Sequence, residues 1–409
     1  MVKKLLIVGF NARPVAKSAK LSGYSTIVID YWGDVDLIPV ADHFLAVTRC
    51  FDENRISETP TKELFLELAE RAVKMWGPVD AILICSGFDD FPEIWKQLSE
   101  LAPICGNDPK ILEKARNVKN LFDEARKAGA YFPKTYYAAE PDDVLKIREK
   151  IDFPFVIKPK TGGGGIGIRL IRSEKDLDRV FSIWKEKYPN GAYVQEYVRG
   201  LDVSTSVMCT GHSAITISVN EQLIGVKYAC PPTRFTYCGN IVPLDAHSEI
   251  LEHLMEISST LAERLHLVGS NGFDWVLDME GCPFIMECNP RFQGTLEPIE
   301  MATGASIVKM HIRACEGELP EGPLQFKRYA CKVILFSERD IHVPDLSNIR
   351  NIFDIPHPNS AIRRGQPICT IIETGYSRKI ALRKCLMKIA AIRRLLRARN
   401  EKFRSQKPS

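Results

Sequence analysis

The chain has 409 residues, too many for one compact core of ordinary size, and its 45% apolar and 26% charged residues give the balance of a folded globular protein rather than a disordered one. The net charge of +4 hides an asymmetry: residues 375–409 hold twelve basic residues and one acid, leaving 43 basic and 50 acidic residues in the rest, a net of −7. No run of 18 apolar residues is present and the twelve cysteines stand singly without a C-x-x-C pair, so the expectation is reduced thiols, a cytoplasmic location and no membrane span.

The first segment alternates strand and helix. Its charged start and short apolar stretch, broken at residues 11–13, read as a first strand, LLIVGF, rather than a signal peptide. Residues 14–21 follow as a short helix, STIVID as a second strand, residues 65–75 as a helix and AILICSG as a buried strand, which predicts a small parallel α/β domain to about residue 107. Asp30 ends the second strand where a dinucleotide fold would hold ribose. The first turn, however, has only Gly9 and cannot bring its backbone against a pyrophosphate, which argues against NAD. Residues 107–128 read as one helix, 153–171 as β-rich, 174–187 as helix and 192–198 as strand. From 203 to 288, long alternating strands surround one helix at 248–265. Pro320-Glu321-Gly322-Pro323 reads as a linker before a small terminal β module and a basic helix.

Two motifs carry chemistry. The strand FVIKP runs into Thr161-Gly162-Gly163-Gly164-Gly165-Ile166-Gly167, after which alternation resumes. A strand rather than a helix follows, so this is neither a dinucleotide fingerprint nor a Walker loop. It is a glycine hairpin tip whose N–H groups can fold over polyphosphate, with Lys158 as an adjacent cation. The second motif is residues 271–289, a hairpin with a two-residue turn at Glu280-Gly281. That register sets Asp274 directly opposite Glu287, with Asn289 on the same face and Arg291 continuing the alternation. Opposed carboxylates ~5 Å apart at Cβ repel, and oxygen ligands of this kind suit Mg²⁺.

Together these residues, above all Glu287-Cys288-Asn289-Pro290-Arg291-Phe292-Gln293-Gly294, resemble the ATP-grasp superfamily, and within it predicted ATP-dependent carboligases related to biotin carboxylase. The resemblance covers about residues 1–320. It implies an N-terminal parallel α/β domain (1–107), a linker helix and lid subdomain (108–200) and a catalytic subdomain (201–320). The small β module and basic helix (321–409) complete this mixed α/β and α+β fold. By position it implies ATP contacts at Lys119, Lys158, the loop glycines Gly162, Gly163, Gly164, Gly165 and Gly167, the hinge residues Glu196 and Val198, and Asp202 for ribose. Mg²⁺, with Mn²⁺ as a substitute, would sit on Asp274, Glu287 and Asn289, and Arg291 would stabilise the reacting anion.

The implied reaction is ATP-dependent activation of a small carboxylate as acyl phosphate, followed by attack of an amine or similar nucleophile. Carboxylation with bicarbonate is the alternative, weakened because Thr295 stands where biotin carboxylase has a Glu, with Glu297 two residues on as a candidate stand-in. A non-catalytic nucleotide-binding protein is the reading from another class, and a homodimer is the assembly to test. Lys227, Arg234 and Arg13 are further anion-site candidates. Cys209 and His212 are explained by a hairpin turn rather than a metal. On the tail helix, Leu382, Cys385, Leu386, Ile389, Ile392 and Leu396 share one apolar arc, which predicts packing on the body rather than nucleic-acid binding.

Overall fold

A computed structural model describes residues 3–405, with side chains through Arg399; the last four residues of the basic tail lie outside the described residues. Near-continuous apolar runs, buried on both faces, make the N-terminal strands β1 (Lys4–Gly9), β2 (Ser25–Asp30) and β4 (Ala81–Ile84), and the half-exposed β3 (His43–Ala46) joins them. They form a parallel sheet in the order β3-β2-β1-β4, of which β3 was not anticipated. Asp30 accepts three backbone N–H groups, from Ala12, Trp32 and Gly33, each at 2.8 Å. Its carboxylate closes the turns around it and is committed to structure.

The single helix expected over 107–128 is two, Pro109–Arg116 and Val118–Lys127. Asn117 has extended backbone between them and its side chain accepts the Asn120 N–H at 3.0 Å, so a strong N-cap residue overrides an otherwise helical pattern. The helix expected over 174–187 likewise breaks into Glu174–Phe181 and Trp184–Lys187. Around these lies a four-stranded antiparallel sheet of β5 (Thr135–Ala138), β6 (Phe155–Pro159), β7 (Arg169–Ile171) and β8 (Ala192–Glu196), in the order β5-β8-β6-β7.

The central sheet is larger than the sequence suggests. It holds β9 (Gly200–Thr210), β10 (Ala214–Ile224), β11 (Tyr237–Val242), β12 (Val268–Asp278), β13 (Pro283–Asn289) and β14 (Tyr329–Phe336). Next in the chain come β15 (Ile341–His342), β16 (Ile352–Phe353), β17 (Ala361–Ile362) and β18 (Pro367–Gly375). β15 and β17 pair with each other; the rest form one sheet ordered β13-β12-β9-β10-β11-β14-β18-β16. The segment read as a terminal β module therefore extends the central sheet, through β14 on β11. The helix Arg378–Ser405 covers β14 and β18 with Ala381, Cys385, Ile389, Ile392 and Leu396 buried. Leu382 is partly buried, whereas Leu386, expected on the same arc, is exposed. Several basic side chains of this helix are tied back to the body, Lys384 to the Thr374 carbonyl and Arg393 to that of Tyr228.

Arg13 was a candidate ligand contact, but it is buried among acids instead. Its guanidinium donates to Glu297 (2.8 Å) and Asp354 (2.7 Å) and lies 3.1 Å from Asp36, joining the N-terminal domain to the helix Leu296–Thr303 and the loop after β16. Burial works to raise the Glu297 pKa, yet Arg13 outweighs it and holds this carboxyl below its ordinary value. Removing one member of such a buried pair leaves a charge stranded. Arg13→Ala is expected to lower unfolding stability by about 3–5 kcal/mol in urea titrations; a loss below about 1 kcal/mol would show that the pair is not holding the domains together.

Candidate active site

β12 and β13 meet by a route different from the predicted one. The Asp278 N–H donates to the Cys282 carbonyl at 3.0 Å, so the turn has three residues, Met279 to Gly281, with Gly281 at φ +84°. One extra turn residue should have moved Asp274 out of line. A bulge at Met286 cancels the shift: Trp275 pairs with Ile285, but Asp274 pairs with Glu287 and Gly272 with Asn289. The expected face is thus built by two irregularities that offset each other.

On that face the Asn289 amide donates to Asp274 Oδ2 at 3.0 Å and Gln222 donates to Asp274 Oδ1 at 2.9 Å. Burial first, then repulsion from Glu287, raises the Asp274 pKa to about 7, against the lowering effect of Asn289, Arg291 and Gln222. Arg291 donates to Asn289 Oδ1 (3.1 Å), to the Phe292 carbonyl (3.0 Å) and to Asp89 Oδ2 (2.7 Å). Facing them from β6 is Lys158. Burial pulls its pKa down, the nearby carboxylates of Glu287 and Asp274 oppose this, and Arg116 adds to the lowering. Lys158 forms no hydrogen bond or ion pair of its own among the described residues, so its ammonium is a cation held near two acids without being used up by either.

The glycine loop lies over the segment before β11. Gly164 accepts the Tyr237 N–H at 3.0 Å, and Gly162 donates its N–H to Asp90 Oδ2 at 2.7 Å. Gly165, at φ +76°, passes so close to the Phe235 carbonyl that a Cβ would fall 1.7 Å from its oxygen. Gly167 accepts the Tyr188 hydroxyl at 2.9 Å, while Gly163 has open space beside it. Gly165→Ala is therefore expected to unseat the loop without unfolding the protein, raising KM for ATP about tenfold. An unchanged KM with an unchanged melting temperature would show that this seat does not serve nucleotide binding.

Of the other predicted contacts, Glu196 and Asp202 lie on strands paired with β6 and β12, respectively. Glu196 ends β8, and its N–H and side chain both engage the Lys134 backbone. Residues 197–199 form the hinge to β9, and within it the Val198 N–H has no partner among the described residues. Asp202 stands opposite Val276 on β9, and burial raises its carboxyl to about 6. Lys119, on the first turn of its helix, is exposed, and its side chain makes no hydrogen bond or ion pair among the described residues. Lys227 is exposed, and Arg234 lies over the Phe235 ring at 5.4 Å. Cys209 is buried, and His212 sits in the β9–β10 turn closed by Thr210 and Ser213.

Four side chains of the site were missed. Arg116 holds Asp90 (2.8 Å) and lies 3.6 Å from Glu287. Asp89 orients Arg291, Asp90 engages the loop, and Gln222 engages Asp274. The available signal was position: Asp89-Asp90 follows the carboxyl end of the parallel strand β4, where open α/β sheets place ligands. The candidate stand-in Glu297 is tied to Arg13, and the Thr295 hydroxyl lies 3.0 Å from that of Ser206. Neither supplies a free carboxylate beside Arg291. The donor set itself fits a hard divalent cation: oxygen atoms only, and two opposed acids, one of which resists ionisation until a positive charge arrives.

Residues 115–295 match the family described as ATP-grasp domain. An uncharacterized protein of Methanocaldococcus jannaschii is 27% identical over 369 residues, 90% of this chain and 88% of that one. Among solved structures, the biotin carboxylase domain of Hydrogenobacter thermophilus 2-oxoglutarate carboxylase, in complex with MgADP, ADP and bicarbonate, superposes with a TM-score of 0.73 at 18% identity, over 94% of this chain and 89% of that one. The ADP complex of N5-carboxyaminoimidazole ribonucleotide synthetase gives 0.72 at 19%, over 96% and 98% of the two chains. L-amino acid ligase of Bacillus licheniformis gives 0.70 at 15%, over 95% and 97%. Those likenesses are of fold. The match to the ATP-grasp domain family covers residues 115–295, and the likeness of fold extends over nearly the whole chain.

Proposed function

We propose that the protein is an ATP- and Mg²⁺-dependent ligase that activates a small carboxylate as an acyl phosphate and joins it to an amine or similar nucleophile. The observation that carries this reading is the facing of Lys158 with the opposed pair Asp274 and Glu287, with Arg291 held next to them by Asn289 and Asp89. Bound Mg²⁺ would neutralise phosphate charge and fix the geometry of phosphoryl transfer, held by Asp274, Glu287 and Asn289.

The chain's own residues do the remaining work. Lys158 presents an unpaired ammonium to phosphate oxygens, and the loop N–H groups close over them while excluding water that would hydrolyse an acyl phosphate. Arg291 is clamped by three acceptors, so its fork can meet a substrate carboxylate, and then the tetrahedral oxyanion, without reorganising. Asp202 would hold the ribose hydroxyls and the Val198 N–H would meet the adenine ring. Carboxylation with bicarbonate is disfavoured by the engagement of Glu297 with Arg13. Phosphate release assayed with panels of acids and amines tests the proposal. Release that needs both an acid and an amine supports it, release with bicarbonate alone assigns carboxylation, and ADP binding without turnover assigns a sensor.

A pH dependence follows from Asp274. Its folded pKa of about 7 lies above the ordinary 3.8, so the folded protein binds the extra proton and, without metal, this group's contribution to stability declines as pH rises from about 4 to 7. A divalent cation must displace that proton. The Mg²⁺-induced rise in melting temperature is therefore expected to be small at pH 6 and to grow through pH 8. A rise that is equal at both values would remove Asp274 from the metal site.

A further inference from the structure

Away from the nucleotide cleft, three groups with no part in the proposed reaction converge where the N-terminal domain meets the helix Ile307–Cys315. The Cys105 and Cys315 sulfurs and a ring nitrogen of His311 all lie within 4.8 Å of one another. Soft ligands at such spacing invite a metal reading, but the histidine is already committed. The Ser270 N–H donates to His311 Nδ1 at 2.7 Å, so that nitrogen must be the bare one. Nε2 therefore carries the proton and donates it to the Cys105 carbonyl at 2.9 Å. With Phe292 packed against the ring at 4.4 Å, neither nitrogen is free to bind an ion. Two thiols remain, both partly exposed, one in the connector after β4 and one at the end of its helix.

We propose that Cys105 and Cys315 are an oxidisable dithiol, a modification site at which a peroxide forms a disulfide between the N-terminal domain and the helix Ile307–Cys315. The chemistry balances with the peroxide as the oxidant. The Cys105 thiolate attacks one peroxide oxygen, forming an S–O bond and breaking O–O, and the leaving hydroxide takes a proton to become water. The Cys315 sulfur then attacks the sulfenic sulfur, forming S–S and breaking S–O, and a second water leaves with the Cys315 proton. Two thiols lose two electrons and one hydrogen peroxide becomes two waters. The roles follow from the surroundings. A hydrogen bond from Cys315 lowers the Cys105 pKa to about 5, with His311 adding to the effect and burial opposing it, while Cys105 itself pushes Cys315 up. Cys105 is thus the nucleophile and Cys315 the resolving thiol. A sulfur pair within 4.8 Å has at most about 3 Å to close to reach bonding distance, a movement that two side-chain rotations at element ends can supply.

The full-length protein, treated with one equivalent of hydrogen peroxide at pH 7, would be mapped by differential alkylation and mass spectrometry without reduction. The expected result is a cross-linked Cys105–Cys315 peptide, formed about tenfold faster than any other cysteine is lost, and in Cys315→Ser a dimedone adduct on Cys105. Cys105 and Cys315 that stay as alkylatable as the other cysteines would overturn the proposal. So would zinc in the purified protein that shields both thiols until a chelator removes it.

Discussion

Glu287→Gln is expected to reduce ATP turnover by at least about 10³-fold while leaving the melting temperature of the metal-free protein unchanged or higher. The carboxylate repels Asp274 in the metal-free site, so losing its charge relieves strain there. Of the cations it leaves, Arg116 keeps both bonds to Asp90 and Lys158 keeps Asp274 beside it. The fold therefore has no reason to fail, and the loss should appear only where a cation and phosphate must be held. A calorimetric titration would show the signature directly: stabilisation by Mg²⁺ and nucleotide lost in the variant and present in the parent protein. Full turnover in a well-folded Glu287→Gln protein would remove the metal site from this hairpin.

Arg291→Ala is the second large effect, with a different signature. Phosphate release is expected to drop by about 10²- to 10³-fold, with MgADP affinity changed by less than about threefold. In the proposed function nucleotide would be gripped by Lys158 and the loop, whereas Arg291 would meet the carboxylate being activated. The substitution also strands Asp89, one of whose oxygens already lacks a partner, so a modest fall in melting temperature should accompany it. Arg291→Lys would keep the charge but lose the fork held between Asp89, Asn289 and the Phe292 carbonyl, and should recover stability more than rate. If ADP affinity falls in parallel with turnover, Arg291 is binding nucleotide and its assignment to the acid is wrong.

How much of this could be read from the sequence differed by element. Buried parallel strands announce themselves as apolar runs, and β1, β2 and β4 lie where LLIVGF, STIVID and AILICSG predict. Asp274 opposite Glu287 was also legible, although the turn that seemed to set it was not the one that forms. A three-residue turn and a bulge each shift the register by one, and period-two alternation cannot see a pair of errors that cancel. The helix break at Asn117 was hidden because a capping asparagine is read only when the flanking pattern also stops.

The deeper reason for the misses is distance along the chain. Arg116 meets Asp90 across 26 residues, Arg291 meets Asp89 across 202, and Arg13 meets Asp354 across 341. Nothing local marks such partners, so Arg13 looked like a loop cation and became an interdomain ion pair. β14 and β18 lie in the segment read as a terminal β module, but the edge by which β14 pairs with β11 leaves no trace in its own residues.

In the proposed function a divalent cation and the phosphates of a nucleotide sit between Lys158 and the Asp274–Glu287 pair. Crystals grown with Mn²⁺ and ADP, measured at a wavelength where manganese scatters anomalously, test it most directly. The expected result is an anomalous peak about 2.1 Å from carboxylate oxygens of Asp274 and Glu287, with the ADP phosphates between it and Lys158 beneath the glycine loop. Ordered ADP bound elsewhere, or a manganese peak on other side chains with this pair bare, would contradict it.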